Sequence, residues 1–247
     1  MLFRSHALRI KLIAQAAQES TGQCVMPNVI SESQFGRKYY KGPNLQNTPK
    51  IVRHAALGTC HEYDIESSVF AWKYSLFKEI CREENENVPM PATLEYLDYK
   101  RAKRRQLARI VFDSDEDGYV DIIKEAITAI GFGAPARATG FVARGKYDPS
   151  ALNTIITART RLDKFLADPW IQEFVQEQKS INTIIIEKAS LEGMNKHFKT
   201  IPEMMDRAGR LRANSVVSYL YQQTERNILE YLMQACEDSE KIGRAHV

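Results

Sequence analysis

Ser33-Gln34-Phe35-Gly36-Arg37 is followed by Lys38-Tyr39-Tyr40-Lys41-Gly42 and then by Pro43-Asn44-Leu45-Gln46-Asn47-Thr48-Pro49. Arginine forks onto phosphate through parallel N–H groups, and side-chain amides such as those of Asn44 and Gln46 reach sugars and base edges, so this set of residue types suits contact with a nucleic-acid backbone. It equally suits an ordinary turn-rich loop. A second cluster is Lys100, Arg101, Lys103, Arg104 and Arg105, with Arg109 a turn further on: six cations within ten positions of one helical segment. Such a row can follow a phosphate backbone with an affinity that falls as salt rises. The plainer reading is a solvated face that pairs with the acidic stretch from Glu79 to Glu86.

The order and gap from Gly36-Arg37 to Pro43-Asn44-Leu45-Gln46-Asn47 resemble the palm segment of the family A DNA polymerases, with Ser33 where that family has Thr or Asp. The resemblance extends along the chain. Asp64, in His61-Glu62-Tyr63-Asp64-Ile65-Glu66-Ser67, lies where motif A carries its catalytic carboxylate, between a short strand and a helix, and the resemblance makes it the Mg²⁺ ligand. Lys124 follows 60 residues later on a helix that Phe132 and Gly133 close, which is similar to motif B. Lysine can neutralise charge on a reacting triphosphate, and Phe132 can stack on a base or sugar. Arg210 and Asn214 resemble the Arg-x-x-x-Asn that opens the last palm helix, from which Gln222 and Glu225 project.

The resemblance implies a template-directed nucleotidyltransferase whose partners are a template–primer nucleic acid and nucleoside triphosphates. Asp64 and Lys124 would carry the chemistry, and Arg37, Asn44, Gln46, Phe132, Gly133, Arg210 and Asn214 would bind substrate. The Gly-Arg to Asn-Leu-Gln-Asn match favours DNA synthesis. Val69, where the DNA enzymes have Glu, and the spacing of motif B are closer to the phage-type single-subunit RNA polymerases, the alternative. Val120 stands where both families place an arginine before the lysine, and no His-Asp of motif C follows Asn214. Ile242-Gly-Arg-Ala-His-Val247 resembles the translation of a sequencing adapter, so the expectation is a truncated, inactive piece of a larger enzyme. A rival of another class overlaps motif B: Asp113, Asp115, Asp117, Gly118 and Asp121 resemble positions 1, 3, 5, 6 and 9 of an EF-hand calcium loop, but Lys124 falls where the bidentate glutamate belongs.

The elements that must hold these residues follow from periodicity. Ser67 opens a helical stretch through Phe70, Trp72, Leu76, Phe77 and Ile80. Further helices are predicted from Pro91 to Ile110, Tyr119 to Ile130, Ser150 to Ala167, Pro169 to Gln178, Ile201 to Leu211 and Asn214 to Ala235, with one strand from Thr59 to Ile65. The expected class is α+β, predominantly helical, with a small antiparallel sheet: the palm and fingers of a right-hand polymerase. Expected parts are 1–32 as an N-terminal helix and connection, 33–90 as palm with motif A, 91–200 as fingers, 201–241 as a returning palm helix, and 242–247 as the adapter scar. In all, 247 residues with 34 Lys+Arg against 31 Asp+Glu and a 44% hydrophobic share exclude an intrinsically disordered chain. Cys24, Cys60, Cys81 and Cys236 form no zinc-ligand spacing, and no apolar run is long enough to span a bilayer, so a cytoplasmic protein is expected.

Overall fold

The computed structural model describes residues 29–32, 38–41, 67–84, 88–137, 139–143, 146–191, 193–206 and 208–238, with Lys11 and Gln15. The chain divides into two units, Glu66–Tyr221 and a second made of Met1–Ile65 with Gln222–Val247. In the second unit a short ladder pairs β1 (Val29–Glu32) antiparallel with β2 (Lys38–Lys41). The first unit holds helices α1 (Ser68–Glu83), α2 (Pro91–Phe112) and α3 (Asp117–Gly131). The ladder of β3 (Phe141–Ala143) and β4 (Lys146–Asp148) follows. Then come α4 (Ala151–Ile155), α5 (Arg159–Ala167), α6 (Pro169–Leu191), α7 (Asn195–Lys199) and a 3₁₀ turn at Pro202–Met204. Last is α8 (Ala213–Asp238), which runs on beyond the unit.

This corrects the α+β expectation. The described residues are predominantly helical, and their named strands form two separate two-stranded antiparallel ladders. No third strand extends either of them among the described residues, so the expected palm sheet is absent there. The strand expected at Thr59–Ile65 lies outside the described residues.

The helices form where apolar spacing lets one face be buried. On α1, Val69, Phe70, Phe77, Ile80 and Cys81 are buried, and on α3 Ile123, Ala126, Ile127 and Ile130. The core is centred on aromatic side chains from three helices. Phe70 meets the Tyr96 ring edge-on at 5.2 Å, Phe174 lies 5.5 Å from Phe70, and Trp170 stacks on Phe174 at 4.9 Å. Truncating one such ring costs about 3–5 kcal/mol, through lost transfer energy and the cavity left behind.

Helix α6 also starts α2. Met90 provides no side-chain cap and Pro91 has no N–H to satisfy. The Glu177 carboxylate instead accepts from the Ala92 and Thr93 amides at 2.9 and 2.7 Å, matching its charge to the positive end of the helix. The expected helix from Pro169 to Gln178 therefore continues to Leu191. The expected helix from Ser150 to Ala167 is two, α4 and α5, parted at 156–158. The expected helix from Ile201 to Leu211 is a loop. After the 3₁₀ turn, Met205 bridges Leu211, Asp206 Oδ1 accepts from the amides of Ala208 and Arg210, and Gly209 adopts φ +73°. Pro202, the aspartate turn and the left-handed glycine each oppose a helix there.

Candidate functional site

Of the residues singled out from sequence, Arg37, Asn44, Gln46 and Asp64 lie outside the described residues. Lys124, Phe132, Gly133, Arg210 and Asn214 are described, and the structure joins two of them. Asn214, at the start of α8, donates from Nδ2 to the Gly133 carbonyl at 2.9 Å, across 81 residues of sequence. Gly133 ends α3 with φ +84°, and a Cβ there would stand 2.3 Å from Asn214 Oδ1. Glycine is required twice at this position, by the left-handed backbone and by the close approach of the amide.

The next residue back, Phe132, is half-buried, its ring 5.8 Å from Tyr221 in an edge contact. Tyr221 lies seven residues beyond Asn214, two turns along the same face of α8. Its hydroxyl hydrogen-bonds Ser68 Oγ at 2.5 Å, and its ring is 5.7 Å from Trp72. The end of α3, the first turns of α8 and the first turn of α1 thus meet at one place.

A buried lysine holds the same corner from below. Lys73, fully buried on α1, donates to the Gly131 carbonyl at 2.8 Å and to Gln178 Oε1 at 2.6 Å. Gln178 in turn donates to Thr93 Oγ1 at 2.8 Å. Burial pushes the Lys73 ammonium from the ordinary lysine value of 10.5 down to about 7. Gly131 packs so closely on Phe70 that a Cβ would lie 2.5 Å from its ring. The carbonyls of Gly131 and Gly133 are therefore pinned by side chains of α1 and α8, fixing Phe132 between them.

Lys124 stands exposed on α3. Arg210 is also exposed, but its guanidinium returns to Asp206 at 2.9 Å, so it closes its own loop rather than joining Asn214. The Arg210 amide, the side-chain bond from Arg210 and the Ala208 amide together hold the Asp206 carboxyl below the usual range.

The basic row on α2 is largely spent. Lys103 pairs with Glu95 at 2.6 Å and lies over the Trp170 ring, and Arg104 donates to the Tyr96 hydroxyl at 2.7 Å. Arg105 reaches Asp117, and Arg109 Nε donates to Asp115 at 3.0 Å. Arg105 and Arg109 thus pair with the turn at 113–117. Asp113, in the left-handed region at φ +59°, reverses the chain and brings that turn back against the last turns of α2. A bond from Arg109 is the main cause that holds the Asp115 carboxyl below its ordinary range.

The same contacts remove the calcium loop. Asp117 and Gly118, which that loop needs unwound, are in the first turn of α3, and Asp115 faces arginines. Among the described residues no group of three or more His, Cys, Asp or Glu side chains could hold a metal ion. No helix among them is long and apolar enough to cross a membrane.

Sequence reasoning missed Lys73, Ser68 and Tyr221. Lys73 had a signal: it falls on the buried face of α1, four residues from both Val69 and Phe77. Ser68 and Tyr221 had none, since 153 residues separate them. No family model, no curated protein and no solved structure matches the chain.

Proposed function

We propose that the chain belongs to a template-directed nucleic-acid polymerase and that Glu66–Tyr221 is the helical part that handles the incoming nucleoside triphosphate. The observation that carries the reading is the 2.9 Å hydrogen bond from Asn214 to the Gly133 carbonyl. Both residues were named from sequence as parts of separate polymerase-like motifs, and nothing in local periodicity requires them to touch.

On this reading α3 presents exposed Lys124 to the triphosphate, and the pinned Phe132-Gly133 end gives the nucleotide a fixed wall. Asp64 keeps the metal-holding role that the resemblance implies, and a cytoplasmic setting goes with it. DNA synthesis is favoured by the match at Gly36-Arg37 to Asn47.

Binding of a fluorescent nucleoside triphosphate to the 247-residue chain tests the site. A charge-assisted phosphate contact contributes about 1.5–3 kcal/mol, so Lys124→Ala should weaken binding roughly tenfold or more without lowering the melting temperature. Equal affinity in the variant would overturn the assignment.

A further inference from the structure

We propose that α7, the loop after it and the start of α8 form a binding surface for single-stranded nucleic acid. Lys196, Lys199 and Arg212 would contact phosphates, and the His197–Tyr219 ring pair would lie against bases. Only the identity of the strand, a template or primer, rests on the polymerase reading.

Between Gly193 and Arg212 the sequence carries five Lys and Arg residues against two acids, Glu203 and Asp206. Asp206 is taken by Arg210. The side chains of Lys196, Lys199 and Arg212 are exposed, and none has an ion-pair partner among the described residues. Unneutralised cations are the condition for releasing counterions from a phosphate backbone.

The geometry gathers them. Phe198 is buried and anchors α7, its ring 5.8 Å from Tyr219 in an edge contact. His197 and Tyr219 are joined by a 2.8 Å hydrogen bond between Nε2 and the hydroxyl. Lys196 and Lys199, three residues apart, share one side of α7 next to that pair. The Arg212 amide bonds the Met204 carbonyl at 2.7 Å and Ser215 Oγ bonds the Glu203 carbonyl, which draws the loop against the start of α8. Arg212 immediately precedes α8 and Tyr219 lies in its second turn, while Asn214 points to Gly133.

Free cations beside aromatic rings match a strand that alternates phosphates with stackable bases. The charges alone suffice for an anionic membrane surface, whereas a nucleic-acid strand also uses the faces of the rings.

The test is anisotropy of a labelled oligo-dT or oligo-rU of about 20 nucleotides, titrated with the 247-residue chain between about 50 and 200 mM salt. The variant Lys196→Ala/Lys199→Ala/Arg212→Ala should bind at least about tenfold more weakly at the lower salt. Its log–log salt slope should be shallower by about 2, at roughly 0.7 per phosphate contact. Should that variant fail to fold, Lys196→Gln/Lys199→Gln should shift the slope by about 1.4. Arg105→Ala/Arg109→Ala on α2 should change neither quantity. Unchanged binding in the first variant, an equal loss in the α2 variant, or binding to phosphatidylserine vesicles with none to the oligonucleotides would overturn the proposal. Nucleotide binding insensitive to Lys124→Ala alongside patch-dependent strand binding would sink only the polymerase site. The converse pattern would sink only the patch.

Discussion

Two sets of cations on the helical unit are used in opposite ways. The set conspicuous in sequence, from Lys100 to Arg109, is packed into ten positions and has Lys103, Arg104, Arg105 and Arg109 bonded to Glu95, Tyr96, Asp117 and Asp115. The inconspicuous set, Lys196, Lys199 and Arg212, is spread over seventeen positions and carries no ion pair among the described residues. Local density of charge is therefore a poor guide to available charge. A dense row on a helix attracts acids from the next turn of chain and becomes part of the fold, whereas on the α7–α8 side the nearby Asp206 is taken by Arg210 and leaves Lys196, Lys199 and Arg212 exposed. Lys73 is the extreme of the first kind, a cation wholly inside the core.

That ordering predicts how strongly each cation is coupled to stability, and the largest effect belongs to Lys73. Its pKa is lowered from 10.5 to about 7 by burial, so between those values the unfolded chain binds a proton that the folded chain does not. Stability contributed by the neutral amine is then fully present above the unfolded value, and it is lost as pH falls towards the folded value. It should thus rise by about 2 kcal/mol from pH 7 to pH 9, relative to a Lys73→Met variant in which this titration is gone. Parallel denaturation curves of the two proteins across that range would break the picture of a buried, readily neutralised lysine.

Next comes Arg104, which serves a buried group. Removing it takes the 2.7 Å donor from the Tyr96 hydroxyl, inside the core and raised in pKa by burial, and leaves Ser67 as its side-chain hydrogen-bond partner. Arg104→Met should cost about 1–2 kcal/mol by urea denaturation, with Arg104→Lys recovering part of it. If Arg104→Met were neutral, α2's arginines would be surface charges after all, and the contrast with the α7–α8 patch would lose its basis.

How much of this could be read beforehand depended on whether a signal was local. Pro91 and the Gly131-Phe132-Gly133 stop marked α2 and α3 to within two residues, because a proline start and a left-handed glycine end act within one turn. The helix expected at Ile201–Leu211 failed because Ile201, Met204, Met205, Ala208 and Leu211 have helical spacing, while Pro202, Asp206 and Gly209 between them do not permit a helix. The expected helix stops at Gln178, short of α6, because residues 181–186, β-branched at every position but Asn182, read poorly as helix. Burial of Ile181 and Ile185 against α1 outweighs that propensity. The site divides in the same way. Gly133 and Asn214 were legible one at a time, but their contact and the Ser68–Tyr221 bond are properties of packing. The neutralisation of α2 turned on a single left-handed residue, Asp113, whose reversal decides which acids face the arginines.

The smallest expected effect is also the most direct test of that last point. Asp115 pairs with Arg109, while Arg105 pairs with both Asp115 and Asp117. Asp115→Asn keeps the size of the side chain but removes its charge and one acceptor oxygen, so the Arg109 ion pair is lost while Arg105 keeps Asp117. If pairing rather than position keeps α2 away from polyanions, the variant should bind a labelled single strand about two- to threefold more tightly at low salt. Its salt slope should be steeper by about 0.7, one additional phosphate contact. Lowering the pH of the wild-type protein should mimic this only below the usual carboxylate range, because the Arg109 bond lowers the Asp115 pKa. An unchanged slope would mean that α2 is excluded by its position on the surface, and that the free charge of the α7–α8 patch matters less than where it sits.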